Sequence, residues 1–313
     1  MRKALKLLIG VCLFTLLSGP AQAKLNVFAC FPEWGALAKE LGGDALKVFV
    51  AVGPLTNPDH VDVTPALIVA LKEADLLVCT GADFEGEWLP GALKRANNPK
   101  LRQGQPGLFF ARDFVKGLED SQDHAAGGKV EKHEDHLHEH GNPHVQGDPY
   151  RVRAIAGRLG RRMIEIDKSE AKRYNDNTKA FIRELGALIK TLQAKAAPLH
   201  GINIAAQHEH SVYLLNWLKI NSVAIVEPQV VVPPGPADLA RIIQQVPRDN
   251  IKFIIHAAYE NPRPSAYVAD RAGIPLINLP FTIGGTDDAA TYADFYRTSV
   301  NRMLDGLAGN DRP

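Results

Sequence analysis

The sequence predicts an α/β protein of two lobes, each a small parallel sheet flanked by helices, joined by one long linker helix. Three observations carry this expectation. Short apolar runs of strand length alternate with stretches of helical spacing before residue 119. The same alternation returns after residue 199. Between the halves lies a helical pattern of about 30 residues, which at 1.5 Å per residue spans about 45 Å.

The chain opens "MRKALKLLIGVCLFTLLSGPAQAK". Arg2, Lys3 and Lys6 form a basic start, Leu7 to Leu17 is apolar but too short to span a bilayer, and Ala21–Ala23 is a small-residue cleavage site. This is the layout of a secretory signal peptide over residues 1–23, cleaved near Ala23, and it marks the chain for export. A retained membrane anchor is the alternative; Cys12 lies inside the apolar run and no Cys follows at the cleavage point, which argues against a lipid anchor. The mature chain of about 290 residues has room for two domains of ordinary size. Taking Arg2, Lys3 and Lys6 from 36 basic residues leaves 33 against 35 acidic, a net charge near −2. No basic patch with interleaved aromatics points to nucleic acid. Cys30 and Cys79 remain, both in apolar strand-like runs. Small buried thiols are the default expectation, and a disulfide is the alternative that an oxidising compartment permits.

In the N-terminal lobe, residues 24–164, "LNVFACF", "LKVFVAVG", "DLLVCTG" and "GLFFARDF" read as strands. "FPEWGALAKELGG" has helical spacing and a Gly stop, "TPALIVALKEA" starts with Thr64 as cap and Pro65 in its first turn, and "WLPGALKRAN" is helical. Residues of about 119–141 are polar with almost no aliphatic side chains, so they read as a long flexible loop. "PYRVRAIAGRLGRRMIEID" resumes helical spacing. The linker helix is placed at 165–198, with Phe181, Leu185, Leu188 and Leu192 in one stripe, and reads as a rigid strut rather than a packed element. In the C-terminal lobe, residues 199–313, "INIAAQH", "VAIVEP", "IKFIIHA" and "PLINLPF" are the strands, separated by four helical stretches. Ligands of parallel sheets lie beyond the carboxyl ends of the strands, so the cleft shared by two such lobes is the natural site.

The stretch "EKHEDHLHEHGNPHVQGDP", Glu131–Pro149, crowds His133, His136, His138, His140 and His144 together. Further histidines stand at predicted loop positions: His60 in "NPDHVDVTP" and His208 in "AAQHEHSVYLL". Imidazole is the commonest neutral nitrogen ligand for borderline metals, and zinc takes four ligands, often several His with a carboxylate or water. His60, His144 and His208, far apart in sequence, converge only if the fold brings loops together, which two lobes facing one cleft would do. A lone surface histidine is more often a solvated side chain.

These blocks carry a resemblance. "NPDHVDVTPALIVALKEADLLVCTGADFEGEWLP", "GNPHVQGDP", "HEHSVYLLNWL", "IVEPQVVVPPGPADL" and "LPFTIGG", in this order, resemble substrate-binding proteins of metal-uptake ABC transporters, the cluster A-I group with periplasmic zinc and manganese carriers. The resemblance covers nearly the whole mature chain. It implies two lobes joined by a long helix with the metal between them, His60, His144 and His208 as ligands, Zn²⁺ as the cargo, and docking to a membrane permease. A periplasmic metallochaperone is a further candidate partner, and a monomer the expected state. Gln146 departs from the family's usual aromatic after the second histidine, and Asp59 stands between Pro58 and His60. The family's fourth ligand is often a carboxylate in the last loop; here "LPFTIGGTDDAATY" offers Asp287 first, with Asp288, Asp59 or water as alternatives. His124, His133, His136, His138 and His140 would hold auxiliary metal in the loop, while Glu209, His210 and His256 would stand behind the ligands. A manganese carrier, a zinc buffer built on the loop, and a zinc hydrolase are the competing functions. The last finds no HExxH motif in the chain.

Overall fold

The computed structural model describes residues 24–58, 60–81, 84–118, 141–228 and 233–309. The expected signal peptide, Asp59, and the loop histidines His124, His133, His136, His138 and His140 lie outside them. Two four-stranded sheets are present, and every strand pair in them is parallel. The first holds β1 (Leu25–Ala29), β2 (Leu46–Val50), β3 (Leu76–Cys79) and β4 (Leu108–Phe110) in the order β2-β1-β3-β4. The second holds β5 (Asn203–Ala206), β6 (Asn221–Ile225), β7 (Ile251–Ala257) and β8 (Leu276–Leu279) in the matching order β6-β5-β7-β8.

Helices α1 (Pro32–Gly42), α2 (Pro65–Glu73) and α3 (Leu89–Ala96) connect the first sheet. Each carries Pro in its first turn, where a missing N–H costs no hydrogen bond. Thr64 caps α2 by accepting from the Leu67 N–H at 3.2 Å. The second sheet is served by α6 (Val212–Trp217), α7 (Pro236–Arg248), α8 (Arg263–Ala272) and α9 (Tyr292–Ala308).

The expected long linker helix is present as α5 (Ala171–Lys195); it does not fill 165–198, because the preceding helix α4 (Pro149–Ile166) ends at Asp167. The Asp167 carboxylate accepts from the Ser169 N–H at 3.1 Å and the Tyr174 hydroxyl at 2.8 Å, turning the chain between the two. Nor is α5 a bare strut. It packs on α4, α1 and α9, burying Tyr174, Phe181, Leu185, Ile189 and Leu192. A stripe repeating every three to four residues seeks a partner over its whole length, and three helices supply one.

One core runs from the first sheet through α4 and α5 to α9 and the inner face of the second sheet. A smaller core lies under α7 and α8. Hydroxyls also join the lobes. Tyr296 donates to the Gln146 carbonyl at 2.7 Å, Tyr292 to the Glu33 carbonyl at 3.1 Å, and Tyr213 to the Asn142 carbonyl at 2.9 Å. At Gly147 the chain passes so close to α6 that a Cβ would stand 2.9 Å from the Leu214 nitrogen. Among the described residues no helix is long and apolar enough to cross a membrane.

Cys30 and Cys79 form a disulfide, the alternative rather than the default. They directly follow or close the neighbouring strands β1 and β3, with Cα atoms 4.9 Å apart. Their proximity follows from strand order, which neither apolar run discloses.

Candidate metal-binding cleft

His144 stands just before α4, after Asn142–Pro143. The Asn142 side chain accepts from the His144 N–H at 3.0 Å and donates to the Glu209 carbonyl at 3.2 Å, tying this turn to the second lobe. The His144 ring is buried and boxed edge-on by Phe84 of the first lobe (4.9 Å between ring centres) and Phe281 of the second (5.4 Å).

His208 follows β5 in extended conformation, and His210 lies in the tight turn after it. The His210 ring is 4.9 Å from that of His144 and 5.3 Å from that of His208, so it sits between them. Each of the pair meets a carboxylate. His208 Nε2 lies 2.9 Å from Glu227, and His210 Nδ1 lies 3.2 Å from Glu260. The Tyr259 hydroxyl also reaches His210 Nδ1 at 3.0 Å. Burial disfavours the charged form of His208, but the hydrogen bond it donates to Glu227 and the charges of Glu260 and Glu227 outweigh it, and the pKa is raised. Burial pushes Glu260 up, yet His210, His208 and the Ala257 N–H hold it below the usual range.

Strand order explains the convergence. β5 lies between β6 and β7, so the loops carrying His208, Glu227 and Glu260 leave three adjacent strand ends. Buried Gln207 fixes the arrangement: its amide donates to Glu227 at 3.3 Å and to the Asn261 carbonyl at 3.0 Å, and its oxygen accepts from Ser265 at 2.8 Å. Glu227 and Glu260 were not singled out from the sequence. The signal was present, since "VAIVEP" and "HAAYENP" both place an acid just past a strand.

The remaining expected residues fall elsewhere. His60 is exposed and lines a recess with Val61, Asp62, Glu87 and Trp88. Glu209 is exposed and contributes its carbonyl rather than a carboxylate. His256, near the end of β7, is buried with Nδ1 3.0 Å from the Ala257 carbonyl, and burial lowers its pKa. Asp287 is exposed; Asp288 accepts from Arg302 at 2.8 Å and Thr286 at 2.7 Å. Among the described residues, the trio of metal-ligating types whose donor atoms lie within 4.8 Å of one another is Cys30, Cys79 and Glu85, and there the disulfide occupies both sulfurs.

Behind this region lie two buried acids. Glu33, in the first turn of α1, accepts from Thr282 of the second lobe, and Glu85 accepts from the Thr80 and Gly81 N–H groups at 2.6 and 2.9 Å. Burial pushes each carboxyl up to about 7, and the charge of Glu33 adds to the shift of Glu85.

The comparisons agree with this architecture. The chain is similar to the zinc-binding lipoprotein AdcA of Streptococcus pneumoniae, with 25% identity over 98% of the chain, although it spans only 60% of that relative's length. It is 20% identical to the manganese ABC transporter substrate-binding lipoprotein scaA of Streptococcus gordonii, over 92% of the chain and 90% of the relative. A crystal structure of ZnuA superposes with a TM-score of 0.73 at 18% identity, covering 91% of this chain and 99% of that one, a likeness of fold. A family model described as the periplasmic zinc-uptake complex component A, ZnuA, matches residues 27–306, and the chain belongs to that family of metal ABC transporter substrate-binding proteins.

Proposed function

We propose that this chain is an exported carrier that captures Zn²⁺ between its lobes and hands it to the membrane permease of an ABC importer. His60, His144 and His208 are the proposed ligands. The observation that carries the reading is the meeting of His144 with the His208–His210 pair across the lobe boundary, in a buried pocket edged by Glu227 and Glu260. Neutral imidazoles suit zinc, and acids behind them orient the rings and raise their basicity. The chain acts as a binding protein rather than an enzyme, works as a monomer in the periplasm after loss of its leader, and draws on a permease or a metallochaperone as partner. The loop histidines His124, His133, His136, His138 and His140 would gather extra metal near the pocket.

Manganese is the second reading, favoured by the same two carboxylates, because that ion prefers oxygen donors. Titration of the mature chain with Zn²⁺, Mn²⁺ and Cu²⁺, with and without residues 121–141, separates the cases. The zinc reading expects one tight Zn²⁺ per chain that survives loop deletion and is lost in His144→Ala or His208→Ala. Equal or tighter Mn²⁺ binding refutes it. Tight binding that disappears with the loop makes the chain a buffer instead.

A further inference from the structure

His210 is two residues from a proposed ligand, and the sequence ranks it behind the site. Its ring stands beside both proposed ligands of the pocket, although the donor atoms of the three do not all lie within 4.8 Å of one another. Zinc lies about 2.0–2.1 Å from an imidazole nitrogen and the ring centre about 1.1 Å beyond, so two imidazoles on one tetrahedral ion have centres roughly 5.2 Å apart. His210 stands 4.9 Å from His144 and 5.3 Å from His208 by the same measure. Packed aromatic rings also fall in this distance range, so spacing alone does not decide.

The second observation concerns the far side of the ring. Glu260 lies 3.2 Å and the Tyr259 hydroxyl 3.0 Å from Nδ1. Glu260 is itself buried and fixed by the Ala257 N–H at 2.6 Å. A carboxylate on one imidazole nitrogen is the arrangement that fixes the tautomer of a metal-ligating histidine and leaves the other nitrogen's lone pair for the ion. Of the candidate acids of the last loop, Asp288 is already held by Arg302.

We propose that His210 is the fourth ligand of the transported ion, binding through Nε2 while Glu260 and Tyr259 hold its ring. This rests on the carrier reading above and narrows it: with His60, His144 and His208, the donor set is four neutral nitrogens and no carboxylate. Such a set selects Zn²⁺, and Co²⁺ as its spectroscopic substitute, over Mn²⁺.

Crystals of the zinc-loaded mature chain, with the ion located by its anomalous signal, identify the donors directly and need no variant. Four imidazoles including that of His210 are expected. Three imidazoles with a carboxylate or water in the fourth place overturn the inference and leave the carrier reading intact; absence of any stoichiometric zinc overturns both. In parallel, His210→Ala should weaken Zn²⁺ binding, measured by chelator competition, by about 100-fold or more and change the Co²⁺ ligand-field bands. Glu260→Gln should weaken it about 10- to 100-fold while keeping the intensity of four-coordinate bands. Unchanged affinity and bands in His210→Ala refute the assignment.

Discussion

Replacing Glu33 with Gln should stabilise the protein, and only above mildly acidic pH. Glu33 is 2% exposed, and its carboxylate accepts from the Thr282 hydroxyl. Burial moves its pKa from 4.5 to about 7, with the Thr282 bond opposing part of the shift. The folded state therefore keeps the proton that the unfolded chain has already released. Between these two pKa values the folded state binds more protons, so stability falls as pH rises, by at most about 1.4 kcal/mol per pH unit. Across the window from 4.5 to about 7 the cost accumulates to about 3 kcal/mol and is then constant. Glutamine carries no charge at any of these values, and its amide oxygen still accepts from Thr282. Loss of the charge also eases ionisation of Glu85, so the gain is not offset there. At pH 8 the variant should be more stable by about 3 kcal/mol, roughly 6–12 °C in Tm for a chain of this size. The difference should shrink below about 1 kcal/mol near pH 4.5. Denaturation of the metal-free protein in chelator, from pH 4.5 to 8.5, measures this without a contribution from bound metal. Parallel stability curves for parent and Glu33→Gln across that range would refute the buried-acid account.

Two further perturbations test the frame and the pocket separately. Changing Cys30 and Cys79 to Ser opens a loop with a sequence separation of 49, which the chain-entropy relation converts to a loss of about 4 kcal/mol; an unchanged urea midpoint under non-reducing conditions would contradict it. Gln207→Ala removes the three hydrogen bonds that fix Glu227 and the neighbouring loop, and Zn²⁺ affinity should fall about 10- to 100-fold by chelator competition, whereas an unchanged affinity would mean that Glu227 needs no support.

The β-strands and α-helices of the described residues were legible in the sequence, because each announces itself locally. "LKVFVAVG" is short and apolar, "TPALIVALKEA" carries a cap, a first-turn Pro and helical spacing, and such signals do not depend on the rest of the chain. Properties that depend on strand order were not legible. Cys30 and Cys79 pair because β1 and β3 are neighbours, and Glu227 and Glu260 flank His208 and His210 because β5 lies between β6 and β7. The packing of the linker helix was hidden for a related reason. Its apolar stripe was visible, but α4, α1 and α9 are partners only in three dimensions, and the stop at Asp167 depends on a hydrogen bond from Tyr174. His210 was ranked low because a spacing of two residues puts side chains on one face only in extended chain. The backbone is extended at His208 and turns immediately afterwards, which the spacing rule does not cover.

The acids of the pocket also bear on how a buried dication is tolerated. Removing an ion from water costs several kcal/mol even after relaxation, unless opposite charge lies close. A set of neutral imidazoles supplies donors but no charge. Glu227 on His208 and Glu260 on His210 supply two negative charges one ring away, equal and opposite to a divalent ion. On the carrier reading, the nitrogen donors decide which ion is chosen, and the carboxylates decide how tightly any divalent ion is held. The lobes need not close far to bring this about. Tyr292 and Tyr296 lock α9 to the first lobe, and the core is continuous beneath them. On the carrier reading, the freedom to admit and release the ion would reside in the loops: exposed His60 on one side, and on the other the turn that carries His210.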